Sequence, residues 1–453
     1  MTIRQLRGAS VLALGFMATL SSARAETLFE AMAQAYQNNP TLQAERASVR
    51  AADEGVPQAA AGWRPSVTAT GRIGRSRQDS FFAPAPITVS PKVGQVILNQ
   101  PLFRGGRTVN STRQAKNLVK SGRAQLDSTE QTVLLDTVAA YMDVVRDVAV
   151  LDLNVNNVQV LRRQLEANQD RFRVGEITRT DVAQSEARLS RAISSRIGAE
   201  AQLTASRAAY QKMVGQMPGT LAPPPPLPEM PATEDEAHVI ARAESPVLKA
   251  ARFAERSAYY AVKAAKGELL PTVSLEGKYQ RTDQTFNKLS STETKEVTAQ
   301  ISIPLYQAGA EYSRIRQRVQ EHSRAMARIA EAERQVDEGV ANAWEGLRAA
   351  RAIIESSRSQ VRANEIALEG VRQEAFVGSR TTLDVLDAEQ ELLDSRVELV
   401  RAQRNEYVAA YQLLTAIGRL NAKWLALPVK TYEPKQHYDK VKSKWVGWGA
   451  ARD

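Results

Sequence analysis

Val377-Gly378-Ser379-Arg380-Thr381-Thr382-Leu383-Asp384-Val385-Leu386-Asp387-Ala388 decides how this chain is read. Glycine suits the end of a helix because it accepts positive φ. Thr381 and Asp384 have the N-cap and N3 spacing of a capping box, with Asp in the place of Glu. The stretch therefore predicts one helix ending, a tight turn and a second helix beginning. Val174-Gly175-Glu176-Ile177-Thr178, followed by Asp181, repeats the pattern in the first half of the chain.

Working outward, both turns lie in long proline-free stretches, one from Pro101 to Pro218 and the other from Pro304 to Pro428. Apolar residues recur at Val138, Tyr141, Val145, Val148, Leu151, Val155, Val158, Leu161 and Leu165. Steps of three and four are the helical period. A helix over 107–171 would be roughly 100 Å long at 1.5 Å per residue. That is coiled-coil length rather than an ordinary globular helix.

Strands precede each long helix. Val273, Leu275 and Tyr279 alternate with Thr272, Ser274, Glu276, Lys278 and Gln280. Val297, Ala299, Ile301, Ile303 and Leu305 alternate with Thr298, Gln300 and Ser302, and the polar run 281–296 between them reads as a loop. Alternation of this kind marks strands with one apolar and one polar face. The first half carries a fainter version in Val67, Ala69 and Ile73, with Val96, Leu98 and Leu102 on the return strand.

The order of landmarks shows that the chain is written twice. Asn39-Pro40-x-Leu42 matches Ser245-Pro246-x-Leu248, and Pro65-x-Val67 matches Pro271-x-Val273 at the same offset. At a slightly shorter offset Pro101-Leu102-Phe103 matches Pro304-Leu305-Tyr306, and Ala140-Tyr141 matches Ala343-Trp344. The turns, Asp181 with Asp384, and Gly215 with Gly418 follow at that second offset. A repeat of this size is no solenoid unit. It predicts two similar halves of one body, mainly α with β, each half a strand pair and a long antiparallel helical hairpin.

The expected organisation is a signal peptide over 1–25 and a first repeat over 26–217. The first repeat has strands near 63–75 and 92–104 and long helices near 105–172 and 178–215. A proline-rich linker follows over 218–232. A second repeat over 233–428 has strands near 270–282 and 295–306 and helices near 308–375 and 381–420. A basic, aromatic tail fills 429–453. The signal reading rests on Arg4 and Arg7, the apolar run from Gly8 to Leu20, and Ala23-Arg24-Ala25. No later stretch is apolar enough for a transmembrane helix, so insertion in a membrane would use strands.

Composition removes several classes of function. The chain has no cysteine, which excludes disulfides, thiolate metal sites and cysteine nucleophiles. Its formal charge of +10 invites a nucleic-acid reading. Much of that excess sits in Arg4, Arg7 and Arg24 of the signal and in the lysines of the tail, so no nucleic-acid partner is expected. His238, His322 and His437 are dispersed, and no GxGxxG, P-loop, HExxH or GxSxG motif occurs, so an enzyme is not expected.

Four strands with one lipid-compatible face cannot close a membrane barrel alone. Several copies must join, and two, three or four would all give an even number of strands. Trp63, Phe103 and Tyr306 suit an interfacial girdle or ordinary loop packing. A soluble periplasmic coiled-coil scaffold or pump adaptor is the competing architecture.

The chain resembles the TolC family of outer-membrane channels from Leu28 to about Leu427. The resemblance rests on the duplicated order and on specific motifs. These are Asn39-Pro40-x-Leu42, Leu270-Pro271-Thr272, Pro304-Leu305-Tyr306-Gln307-Ala308-Gly309, Arg171-Phe172-x-Val174-Gly175 and the opening stretch. It implies a homotrimer with a twelve-strand β-barrel in outer-membrane lipid, continued by an α-helical barrel through the periplasm. It implies docking on a periplasmic adaptor bound to an inner-membrane ABC or RND pump, and service as the exit duct of efflux or type I secretion. No cofactor is implied.

By the same resemblance, Asp384 and Asp387 face the narrow periplasmic entrance, where copies would form a cation-selective carboxylate ring and repulsion would raise some of their pKa values. Capping alone also accounts for Asp384. Arg380 matches the family's entrance latch, with Thr180 and Asp181 as its partners, while Ala375 stands where the family has the latch tyrosine. Val174, Gly175, Val377 and Gly378 match the adaptor-docking turns, although a plain helix-ending turn also needs the glycines.

Overall fold

The computed structural model describes residues 25–79 and 85–449. The signal-peptide reading lies outside the described residues, apart from its last position. Each half opens with a pair of helices, α1 (Leu28–Asn38) and α2 (Pro40–Ala60) in the first, α5 (Glu234–Glu244) and α6 (Pro246–Lys266) in the second. Pro40 and Pro246 sit at the first position of their helices, where the missing N–H costs nothing. Each half thus sets a helix pair ahead of its strands.

The long helices follow the strands. α3 (Arg107–Arg173) and α7 (Ala310–Phe376) each have 67 residues, or about 100 Å of axial rise. They return through α4 (Arg179–Val214) and α8 (Thr382–Ala416). One large core lies partway along them. Leu134, Tyr141, Tyr210, Val340, Tyr411 and Leu414 are buried there with Leu28 and Met32 of α1. The buried Tyr141 hydroxyl donates to the carbonyls of Glu26 (3.0 Å) and Ala222 (2.6 Å). This clamps the chain's entry and the proline-rich linker across the core, since Glu26 also bridges Leu221.

Strands β1 (Ser66–Ile73), β4 (Lys92–Arg104), β5 (Thr272–Asp283) and β6 (Ser291–Ser302) form one antiparallel sheet in that order. The β4–β5 pairing joins the two halves, and β1 and β6 are its edges. A small ladder of β2 (Ser76–Gln78) and β3 (Ile87–Val89) continues the first pair. The loop expected over 281–296 is much shorter. Thr292, Thr294 and Glu296 pair across to Thr282, Gln280 and Lys278, extending the hairpin through polar residues whose alternation has no apolar partner set to reveal it. At the other end β6 stops at Ser302, and Ile303 and Leu305 fall outside it. Pro304 has no N–H for the ladder.

Register aligns the faces. Val67, Leu98, Gly277 and Val297 form one cross-strand row, and Phe103, Val273 and Ile301 another. Ser66, Asn99, Glu276 and Thr298 form a row on the opposite face, as do Thr70, Gln95, Gln280 and Thr294. Directly opposed residues share a face, so near the helices one face is apolar, giving way to Arg281, Glu293 and Lys295 toward the hairpin ends, and the other is mostly polar, with Val93 and Ile97 exceptions. The apolar face is uncovered: Val67 is 67% exposed, Val297 78% and Ile301 66%.

The sheet meets the helices at a tight backbone crossing. Gly105 has φ +59°, and a Cβ there would lie 2.2 Å from the Gly267 carbonyl oxygen. In the second half Ala308 takes the matching left-handed conformation before Gly309.

Candidate functional site: the two hairpin tips

The tips lie at the ends of the long helices opposite the sheet. Gly175 and Gly378 have φ of +82° and +81°. In each turn two backbone bonds tie up the last carbonyls of the long helix. Gly175 and Glu176 N–H donate to Phe172 (3.0 Å) and Arg171 (2.9 Å), and Gly378 and Ser379 N–H to Ala375 (3.1 Å) and Glu374 (2.9 Å). The next helix starts on a complete capping box. Thr178 N–H donates to Asp181 at 2.9 Å and Asp181 N–H to the Thr178 hydroxyl at 3.3 Å. The corresponding Thr381 and Asp384 bonds are 2.9 and 3.2 Å.

Asp384 is thus a capping residue. The Thr381 backbone N–H, then its hydroxyl, then the charge of Arg380 hold its carboxyl below the usual range. These bonds within one chain act against the upward shift expected from repulsion between copies. Asp387, one turn further on, pairs with Arg188 of α4. A cation thus stands beside it before any second copy is considered.

Arg380 donates from Nε to Glu374 Oε2 at 2.8 Å, bridging its own turn. Its expected partners are engaged elsewhere or stand apart: Asp181 belongs to the Thr178 cap, and Thr180 is exposed on the first turn of α4. Val174 and Val377 are 73% and 76% exposed, and Phe376 beside Val377 is 92% exposed. Each tip thus presents apolar side chains next to a glycine whose missing side chain leaves open space.

Behind the tips, Leu386 of α8 is buried against Val158, Leu161 and Ala192 of the first hairpin. This contact and the Arg188–Asp387 pair hold the hairpins side by side. Within each hairpin, Arg372 donates to the buried Glu389 at 3.0 Å, and Asn168 to Ser185 at 2.7 Å. Sequence reasoning missed Arg188, Glu374 and Glu389. Arg171 pairs with Glu176 across the first turn at 3.0 Å, so the charges flanking each turn did carry a signal for Glu374. Arg188 and Asp387 lie in different halves, and no local spacing links them.

Comparison with known proteins agrees with this architecture. The model of the outer membrane efflux protein family matches residues 31–216 and 239–419. The chain is 36% identical to outer membrane efflux protein BepC of Brucella suis biovar 1, over 98% of this chain and 96% of that protein. It is 27% identical to outer membrane protein TolC of Vibrio cholerae, over 89% of this chain and 94% of TolC. The solved outer membrane channel CmeC of Campylobacter jejuni superposes with a TM-score of 0.79 at 14% identity, covering 92% of this chain and 89% of CmeC. An outer-membrane location extending into the periplasm follows, which sets aside the soluble scaffold. Duplicated helical hairpins capped at matched turns, a sheet with one uncovered apolar face and a family match across both repeats lead to one conclusion: this chain belongs to the outer membrane efflux protein family.

Proposed function

We propose that this protein is the outer-membrane exit duct of a tripartite efflux or type I secretion system, and that three copies build it. The observation that carries the reading is the apolar row structure of a four-stranded sheet with two unpaired edges, at one end of helices about 100 Å long. Open edges are not tolerated in lipid. Three copies joined edge to edge, β6 to β1, remove every edge and make a twelve-strand barrel with the apolar rows outward. The hairpins then continue the barrel as a helical tunnel through the periplasm, and no catalytic step is involved.

In this reading the tips are the entrance. Phe376, Val377 and Gly378, with Val174 and Gly175, dock a periplasmic adaptor carried by an inner-membrane ABC or RND pump. Arg380 exchanges its own Glu374 for Thr180 and Asp181 of a neighbouring hairpin to hold the entrance shut. The cap-held, ionised Asp384 supplies most of the ring charge, while Arg188 tempers Asp387.

The protein placed in planar bilayers should open stable channels, and cross-linking should yield a three-chain species. Monomers without conductance would overturn the duct. Gly378→Trp should abolish export in cells while the three-chain species persists. Export at the parental level would remove the docking role.

A further inference from the structure

The C-terminal segment climbs from the core to the base of the sheet. Tyr432 N–H donates to the Tyr36 hydroxyl at 2.9 Å, which fixes the segment's start on α1. Helix α9 (Pro434–Val441) then packs along α2. His437 Nδ1 lies 3.2 Å from Asp53, and the same buried carboxylate accepts from Arg123 of α3 at 3.2 Å. The Arg123 guanidinium also sits 5.2 Å from the Tyr438 ring. At the far end Arg64 donates to the Lys444 carbonyl at 2.8 Å and lies 5.0 Å from the Trp445 ring. Arg64 follows Trp63 and comes two residues before β1, so the segment reaches the foot of the sheet.

Past that point the side chains have little cover among the described residues. Trp445 is 64% exposed, Val446 87% and Trp448 fully so. Exposed Lys440, Lys442 and Lys444 precede them in the sequence, Lys442 donating to Asp439 at 2.7 Å and Lys444 to the Gly449 carbonyl at 2.6 Å. Tryptophan favours the headgroup level of a membrane, and lysine is attracted to anionic lipid phosphate. The His437–Asp53–Arg123 contacts hold the segment in place beforehand, which lowers the ordering cost of binding. The feature belongs to the first half alone, because Tyr259 of α6 stands where α2 has Asp53.

We propose that the C-terminal segment is an interfacial anchor. Trp445, Val446 and Trp448 enter the phospholipid headgroup layer at the foot of the sheet, and Lys440, Lys442 and Lys444 meet lipid phosphates. The proposal rests on the sheet being the membrane-embedded part, which Trp63 reports separately.

The test uses the whole protein in bilayers of phosphatidylethanolamine and phosphatidylglycerol with bromine high on the acyl chains. The chain has five tryptophans. Subtracting the emission of a Trp445→Phe/Trp448→Phe variant isolates the segment, and a Trp63→Phe variant isolates the foot of the sheet. The segment's emission should be strongly quenched by bromine and shielded from aqueous iodide, as should that of Trp63. If Trp63 is quenched by bromine but the segment is quenched only by iodide, the segment lies in water and the anchor is overturned. Quenching of the segment by neither reagent means that a neighbouring copy covers it, which overturns the anchor as well. If Trp63 also escapes bromine, the membrane reading of the sheet falls and takes the anchor with it. Changing Lys440, Lys442 and Lys444 to Gln should weaken bromine quenching with phosphatidylglycerol and leave it unchanged with phosphatidylcholine. No weakening would remove the phosphate contact.

Discussion

The two hairpin tips share a backbone and differ in charge. Both turn on a glycine near φ +80°, both restart on a Thr–Asp capping box, and both are bridged by an ion pair across the turn. In the first, Arg171 reaches forward to Glu176; in the second, Arg380 reaches back to Glu374. Position 374 is the repeat counterpart of 171, whereas Arg380 lies one residue past the counterpart of Glu176, so a bridge recurs with its polarity reversed and its far end shifted by one. Asp387 faces Arg188, while its own counterpart in the first half is Gln184. Duplication kept what the turn needs sterically. The charges, which the turn does not need, diverged along with Phe172 against Ala375, and the second tip carries the residues on which gating and selectivity should depend.

The foot of the sheet breaks the comparison most sharply. Gly105→Ala forces a Cβ to 2.2 Å from the Gly267 carbonyl at positive φ. The backbone conformation alone costs about 1–2 kcal/mol, and overpacking adds about 1–3 kcal/mol. The proposed three-chain assembly should be largely lost on unheated gels. Gly309→Ala, where a Cβ meets open space, should keep it. Equal survival of both would show that the crossing tolerates a side chain.

Arg380→Ala should raise single-channel conductance several-fold, and Arg171→Ala at the first tip should not. A matching rise in both would make the bridge a general brace rather than a latch.

Replacing Asp384 and Asp387 together by Ala should shift the reversal potential in a salt gradient toward zero, because the carboxylates attract cations. Arg188→Ala should shift it the other way by releasing Asp387. Unchanged potentials would remove the ring.

The smallest effect concerns the core rather than the tips. Burial, opposed by its bond from Ala422 N–H at 2.7 Å, pushes the Glu130 carboxyl up to about 7. The folded protein then holds this proton more tightly than the unfolded chain. Its contribution is complete below the ordinary value of 4.5 and fades as pH rises through about 7. Glu130→Gln, which keeps the accepting carbonyl, should raise stability at pH 8 by on the order of 1 kcal/mol and leave it nearly unchanged at pH 4. A melting midpoint of the parent that does not fall between those two conditions would contradict it.

Much of the fold was legible because its signals are local. The helical period from Val138 to Leu165, the glycine turns and the Thr–Asp caps all act within a few residues. The polar ends of β5 and β6 were not legible, since Thr292 and Thr294 become strand only through partners across the hairpin. Of the candidate site, Gly175, Gly378 and the caps were readable, whereas the Arg188–Asp387 pair and the seat of His437 on Asp53 were not. Those contacts join residues far apart in the chain, and nothing in residue spacing encodes them.

By itself the sequence determined a duplicated body of long helical hairpins and strands with one apolar face, because period, capping and backbone sterics are properties of neighbouring residues. Tertiary structure alone decided that the two halves share one sheet through β4 and β5, that Asp387 pairs with Arg188, and that the tail packs against Arg64 at the foot of the sheet. Each of these depends on which distant surfaces bury one another. That choice is made by the packing of the whole chain and has no local signature.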